Sequence, residues 1–184
     1  NENYDFETGI KSFENLQKTS SDRYEYIFPY YDFDKIINNN FLDGTIYLSS
    51  HGENILNNTN VFTSNVTNDV KYVSNEYITF NGLKNSFSVD IKNLNSLGKN
   101  SSKYKSSPQL ELISMMSFNS SYPLIKRENN YTNYLVPKVS LRFNPGDMKN
   151  HYTLDRSMSV NNIFNNNRLS LTDSLEAGRS VTVG

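Results

Sequence analysis

The chain of 184 residues contains no cysteine. A disulfide framework and a catalytic or metal-bound thiolate are therefore excluded. No run of about 18 apolar residues occurs, so the sequence predicts no membrane-spanning helix. The formal net charge is −1 and no basic stripe is present, which gives no support for nucleic-acid binding.

Side chains that carry catalytic or metal chemistry are scattered along the sequence. His51 and His151 lie far apart without clustered carboxylates beside them, so a metal site is not expected. No G-x-S-x-G motif supplies a nucleophilic serine. Asp32 and Asp34 would share one strand face, where they could act as paired carboxylates, but a solvated strand face explains them better. We predict a protein that is not an enzyme and that binds no metal or cofactor.

Aromatic residues and asparagine are abundant instead, with 13 tyrosines and 11 phenylalanines. Aromatic side chains favour strands and membrane interfaces, whereas asparagine favours turns. Apolar and polar residues alternate with period two and show no helical period. The sequence therefore predicts an all-β protein of about eight strands joined by polar loops. The candidate strands lie at residues 4–11, 23–31, 42–49, 66–72, 86–92, 110–118, 138–144 and 180–183.

The connections between these strands differ in length. Asn38–Asn40 is a short turn, whereas Asn93–Ser107 and Asn144–Asn162 are long polar stretches that predict loops. Short turns on one side and long loops on the other are typical of an antiparallel up-and-down transmembrane β-barrel. A soluble β-sandwich produces the same alternation. The residues alone leave both architectures open.

In a barrel, the apolar face of each strand meets lipid and the polar face lines the lumen. Four charged residues are then candidates for the lumen: Asp43, Asp90, Lys138 and Arg142. Seven apolar residues are expected to face outward: Ile46, Leu48, Val89, Ile91, Val139, Leu141 and Phe143. Pro29 removes a donor from a strand and should mark a strand end or a bulge.

The last quarter of the chain carries the only recognisable signature, a strand "SLRF-P", then "N-IF" and "NR", then "D-x-x-E-x-G-R". Its residues are Asn162, Phe164, Asn167, Arg168, Asp173, Glu176, Gly178 and Arg179. This pattern resembles the LptD/OstA family of outer-membrane proteins that assemble lipopolysaccharide. The resemblance is strongest over Tyr134–Gly184 and extends less specifically to Ser21–Tyr26 and Phe80–Asn85.

The resemblance implies that residues 1–184 are an internal fragment of a C-terminal β-barrel domain, here a partial barrel wall of about eight strands. Nothing matches the family's N-terminal jelly-roll domain or its closing strand. It implies transport of lipopolysaccharide to the outer leaflet of the Gram-negative outer membrane without covalent chemistry. The implied partners are lipopolysaccharide, outer-membrane lipid, an LptE-type plug lipoprotein and periplasmic bridge proteins that bind through the missing domain.

Two other functions remain open from the sequence: a general outer-membrane porin or channel, and a soluble β-sandwich binding module. A basic cluster of Lys99, Lys103 and Lys105 in the predicted loop could meet phosphate groups of lipopolysaccharide. A plain solvated loop is the stronger explanation from the sequence alone.

Overall fold

The computed structural model of the chain describes residues 4–18, 20, 23–39, 42–147, 158–168 and 175–184. In these residues the fold is all-β, with 68% of them in strands and no helix, as the alternation predicted. In the part of the chain described, no helix could cross a membrane.

Eleven strands are found in the described residues. They are β1 (Tyr4–Glu14), β2 (Tyr24–Asn39), β3 (Gly44–Asn57), β4 (Val61–Ser74), β5 (Tyr77–Ile78), β6 (Lys84–Lys99), β7 (Gln109–Ser121), β8 (Leu124–Glu128), β9 (Tyr131–Leu135), β10 (Lys138–Asn144) and β11 (Gly178–Val183).

The long strands form one antiparallel sheet in the order β1-β2-β3-β4-β6-β7-β10-β11. The short strand β5 pairs with β6, and β8 and β9 form a separate hairpin. Apart from these three short strands, each strand pairs with its neighbours in the sequence. The predicted antiparallel sheet of consecutive strands is therefore confirmed, and no closed barrel is found among the described residues.

The prediction of a loop over Asn93–Ser107 was wrong for its first half, because β6 continues through Lys99. The polar residues Asn93 and Asn95 hid this strand from a search for apolar alternation. On the other face of β6, Leu94 and Ser96 are buried, so the period of two persists in burial although it is weak in composition.

Pro29 lies at a bulge, as predicted. Gly9 pairs with Tyr30 and Lys11 pairs with Ile27. Two residues of β2, Phe28 and Pro29, therefore oppose a single residue of β1, which defines a bulge. The bulge also shifts the alternation of β2 by one residue.

The chain divides into two compact units. Unit 1 comprises residues 1–37, 46–70 and 91–112, and unit 2 comprises residues 38–45, 71–90 and 113–184. In unit 1, the ring of Tyr30 lies over Gly9 and the ring of Tyr31 lies over Gly52, where an added Cβ would come 3.0 Å and 2.2 Å from the ring carbons.

Unit 2 contains the same arrangement, since Tyr72 lies over Gly44. In each pair the aromatic ring covers backbone that the glycine leaves open, a device that stabilises glycine positions in sheets. Most of the buried side chains in the described part of unit 2 are polar. The polar ones are Ser88, Ser117, Ser140, Arg142, Asn144, Arg168 and Thr182, and the apolar ones are Met115 and Leu175.

Candidate functional site

Strand β10 has one polar, buried face and one apolar, exposed face. Ser140 is 0% exposed and Arg142 is 5% exposed, whereas Leu141 between them is 43% exposed. A sheet folded for water shows the opposite arrangement, with its apolar face buried and its polar face solvated.

The neighbouring strands of unit 2 continue both faces in register. Ser140 lies opposite Asn119 of β7 and opposite Thr182 of β11. Arg142 lies opposite Ser117 and Ser180 in the same way. The other face of these strands carries exposed apolar side chains: Phe87, Met116, Phe118, Val139, Leu141, Phe143, Val181 and Val183.

A segment that follows β10 covers the polar face. We call residues 158–168 and 175–177 the inner segment. Asn166 connects it to the sheet, because its Nδ2 donates to Ser88 Oγ at 2.5 Å and to Asp90 Oδ2 at 2.8 Å. Its Oδ1 accepts from Ser117 Oγ at 3.0 Å. A single amide thus makes three hydrogen bonds to two strands, which fixes the inner segment on this face.

A charged cluster forms a second attachment. Arg168 Nε donates to Glu176 Oε2 at 2.7 Å, and Arg168 Nη2 contacts Glu176 Oε1. Arg142 Nη1 donates to Thr182 Oγ1 at 3.0 Å. Arg168 Nη1 donates to the same hydroxyl at 3.4 Å. Two guanidinium groups therefore share one hydroxyl acceptor, and the carboxylate of Glu176 compensates the charge of one of them.

Phe164 packs its ring at the end of β10 and β11. A Cβ on Gly184 would come 2.9 Å from the ring, and Lys138 Nζ lies 5.9 Å from its centroid. A cavity of about 480 Å³ adjoins the ring. Its walls mix polar with apolar groups and include Lys71, Asp90, Asn119, Phe164, Asn166 and Leu175.

The four lumen candidates occupy different positions. Arg142 and Asp90 lie on the buried polar face, where both contact the inner segment. Lys138 shares the parity of Arg142 on β10 and is exposed. Asp43 lies in the turn before β3 at a φ of 49°, and its carboxylate accepts from Asn75 Nδ2 at 2.7 Å. Because Asp43 precedes β3, the alternation of the strand does not determine which way its side chain points.

Seven of the eight signature residues lie in the described part of the chain, five of them in the inner segment and two in β11. Asn162, Phe164, Asn167, Arg168 and Glu176 belong to the inner segment. Gly178 begins β11 at a φ of 88°, a conformation that favours glycine. The guanidinium of Arg179 lies 5.5 Å from the centroid of Phe143 on the apolar face. Asp173 lies outside the described residues, and so does His151.

Strand alternation did not predict a polar cluster around His51 in unit 1. Nδ1 of His51 contacts Asp32 of β2, and its Nε2 lies 3.9 Å from Glu53 Oε2. Asn65 Nδ2 donates to Glu53 Oε1 at 3.0 Å. Three strands supply these groups, so only the strand register could have brought them together. No group of three or more metal-ligating side chains occurs within the described ranges.

Comparisons with protein families, with curated proteins and with solved structures find no match. The two faces of the sheet, the inner segment and the signature are therefore the observations from which a function can be argued.

Proposed function

We propose that this chain is part of the wall of a transmembrane β-barrel in the outer membrane of a Gram-negative bacterium, and that this barrel delivers lipopolysaccharide to the outer leaflet. The observation that carries the membrane assignment is the inverted sheet of unit 2. Its exposed face is apolar and its covered face is polar.

The free energy of solvation explains why this arrangement indicates lipid. A fully buried Val, Leu, Phe or Met side chain is stabilised by about 1.5–3 kcal/mol relative to water. Phe143, Leu141 and Val181 gain only part of this in water, because 41–68% of their surface remains exposed. Contact with acyl chains removes the same surfaces from water, while hydrogen bonds between strands satisfy the backbone.

A soluble sandwich would need a second layer over the apolar face. In the described part of unit 2, the covering layer lies on the polar face instead, where Asn166 and Arg168 attach it. This favours the barrel over the sandwich module.

The lipopolysaccharide assignment is supported by the signature in the last quarter. Arg168 comes from the "NR" element and Glu176 from the "D-x-x-E-x-G-R" element, and the two form a partly buried ion pair. The two halves of the signature are thus one structural element. The same resemblance motivates the proposed partners, which are lipopolysaccharide, membrane lipid, an LptE-type plug lipoprotein and periplasmic bridge proteins.

A porin or channel is the second candidate, and the 480 Å³ cavity beside Phe164 favours it because a polar, partly open interior suits solute passage. Neither candidate involves covalent chemistry.

Conditional depletion of the full-length protein separates the two candidates. We expect lipopolysaccharide to disappear from the cell surface, measured with a membrane-impermeant enzyme or antibody, before uptake of small solutes changes. Normal surface lipopolysaccharide together with lost solute uptake would assign the protein to the channel class.

A further inference from the structure

The loop between β6 and β7 carries charge of one sign only. Lys99, Lys103 and Lys105 lie in or beside it, and no aspartate or glutamate occurs between Asp90 and Glu111. The chain as a whole has a net charge of −1, so this stretch departs from the average of the chain. Exposed lysines are common on protein surfaces, and charge alone does not define a site.

A cavity within this loop is the second observation. Its volume is about 580 Å³, and its walls consist entirely of Gly98 and residues 100–107. The cavity is open to solvent, and its lining residues include Lys103 and Lys105 and four serines: Ser101, Ser102, Ser106 and Ser107. The ammonium group of Lys103 lies 4.9 Å from the ring centroid of Tyr104, which also lines the cavity. No carboxylate lines the cavity.

Hydrogen bonds hold the cavity in shape. Gly98 N donates to Lys105 O at 2.8 Å and closes the base of the loop. Ser101 Oγ accepts from the backbone nitrogens of Lys103 at 3.1 Å and Tyr104 at 3.5 Å. Asn100 Nδ2 donates to Asn60 O at 2.9 Å, which ties the loop to the turn between β3 and β4. A preformed site loses little entropy on binding.

Gly98 is essential to this shape. A Cβ at this position would lie 2.7 Å from the carbonyl oxygen of Tyr104. Backbone cannot be displaced as easily as a side-chain tip, so alanine would push the loop away from the strand. The variant Gly98→Ala therefore changes the geometry of the cavity without changing its charge.

We propose that this cavity binds a phosphate group, and specifically the phosphate of a membrane glycolipid. Lysine ammonium groups bind phosphate as point charges, and serine hydroxyls can rotate to donate to the same oxygens. The volume exceeds that of one phosphate and leaves room for an attached sugar. The glycolipid assignment rests on the proposed function, whereas phosphate binding itself does not.

The test uses the full-length protein with two kinds of probe. In the first arm, inorganic phosphate is titrated and its ³¹P NMR line width is followed. In the second arm, lipid A in phosphatidylcholine vesicles is compared with the same lipid after dephosphorylation. The variants are Lys103→Gln, Lys105→Gln, Lys105→Arg and Gly98→Ala. The matched control is Lys126→Gln, which removes the same charge from an exposed lysine of β8.

We expect each of the two glutamine variants in the loop to weaken phosphate binding about five-fold, as for removal of one lysine from an anion-binding surface. Gly98→Ala should weaken binding by at least as much, whereas Lys105→Arg and Lys126→Gln should leave it near the wild-type value. The wild type should prefer the phosphorylated lipid to the dephosphorylated one.

Three results would overturn the proposal or part of it. Unchanged phosphate binding in both loop glutamine variants would show that the cavity is not a phosphate site. Equal weakening in Lys126→Gln, or no weakening in Gly98→Ala, would show that phosphate is attracted only by diffuse positive charge. Binding of inorganic phosphate with no preference for the phosphorylated lipid would support the phosphate site and contradict its assignment to a glycolipid. If membrane insertion fails while inorganic phosphate still binds, the proposed function is wrong and the phosphate site stands.

Discussion

Arg168 and Glu176 form a partly buried ion pair across the ends of the inner segment, with Arg168 Nε donating to Glu176 Oε2 at 2.7 Å. Both side chains also lie beside β11, since Arg168 Nη1 donates to Thr182 Oγ1. The pair therefore closes the inner segment on itself and holds it against the sheet. Arg142 adds a second buried cation nearby, which makes the carboxylate of Glu176 more important for the balance of charge.

Replacing Glu176 should release the inner segment. The variant Glu176→Gln leaves two buried guanidinium groups without a carboxylate. Because the pair is only partly buried, we expect a loss of about 2 kcal/mol, less than for a fully buried pair. We expect faster hydrogen exchange and faster proteolysis in residues 158–168. The matched control is Glu128→Gln, which removes a carboxylate from an exposed pair. Equal protection in Glu176→Gln and the wild type would contradict this prediction.

The hydrogen bonds of Asn166 can be tested by a substitution that keeps the size of its side chain. The variant Asn166→Asp replaces the amide donor by a carboxylate that faces Asp90 and Ser88. We expect a loss of about 2–4 kcal/mol, because a donor to a charged group is lost and two carboxylates are brought together. Thermal denaturation in detergent measures the effect. Asn165→Asp, at the exposed neighbouring position, should change the stability little, and an equal effect of the two variants would sink the idea.

We expect the ring of Tyr31 to determine how well a larger side chain is tolerated at Gly52. A Cβ at Gly52 would lie 2.2 Å from Tyr31 Cε1, so Gly52→Ala should destabilise by about 1–3 kcal/mol through overpacking. In a Tyr31→Ala background the same substitution should be nearly neutral or stabilising, because alanine restricts the unfolded chain more than glycine does. A double-mutant cycle measures this coupling. Additive effects of the two substitutions would show that the ring does not constrain the glycine.

Hairpin β8–β9 provides a prediction about pH. The Lys126 ammonium, 2.6 Å from Glu128 Oε1, and the hydroxyl of Tyr131 lower the pKa of Glu128 below its ordinary value. The ionised carboxylate therefore stabilises the hairpin above the ordinary glutamate pKa, and this stabilisation is lost as the pH falls through the lowered pKa.

The variant Lys126→Gln should raise the pKa of Glu128 towards its ordinary value, measured by ¹³C NMR of the carboxyl group. Lys84→Gln, which removes the partner of Glu76 elsewhere in the chain, should leave the pKa of Glu128 unchanged. An unchanged pKa of Glu128 in Lys126→Gln would contradict the assigned cause.

Period-two alternation predicted the eight long strands of the main sheet, because side-chain direction in a strand depends only on parity. It did not predict the three short strands β5, β8 and β9. It located β10 correctly, since Leu141 and Arg142 differ sharply in polarity. The alternation failed after Ile91, because Asn93 and Asn95 occupy the positions of β6 where it requires apolar side chains. A backbone ladder needs no apolar residue, so composition underestimated the length of this strand.

The candidate site was less predictable than the strands. Arg142 and Asp90 were identified by parity alone, whereas their contacts to the inner segment depend on how a long connection folds back. Asn166 lies 76 residues from Asp90 in the sequence, and no local pattern encodes a contact at that separation. The sequence marked the residues around Asn166 as a signature without indicating which side chains they meet.

Fluorescence quenching can show whether the exposed apolar face of the sheet lies in lipid. The 184 residues contain no cysteine, so single cysteines at Leu141 and Asn129 can each carry an environment-sensitive fluorophore once any cysteine elsewhere in the full-length protein is replaced by serine. Both positions are exposed in the chain by itself, but Leu141 lies on the apolar face of β10 and Asn129 lies in the turn between β8 and β9.

The decisive measurement is quenching of these two fluorophores in the full-length protein reconstituted in vesicles, by a lipid with a nitroxide on its acyl chain and by aqueous iodide. If the apolar face lies in lipid, the lipid quencher should act strongly and iodide weakly at position 141, with the reverse at position 129. Strong iodide quenching at position 141, with no quenching by the lipid, would show that this face meets water and would contradict the membrane assignment.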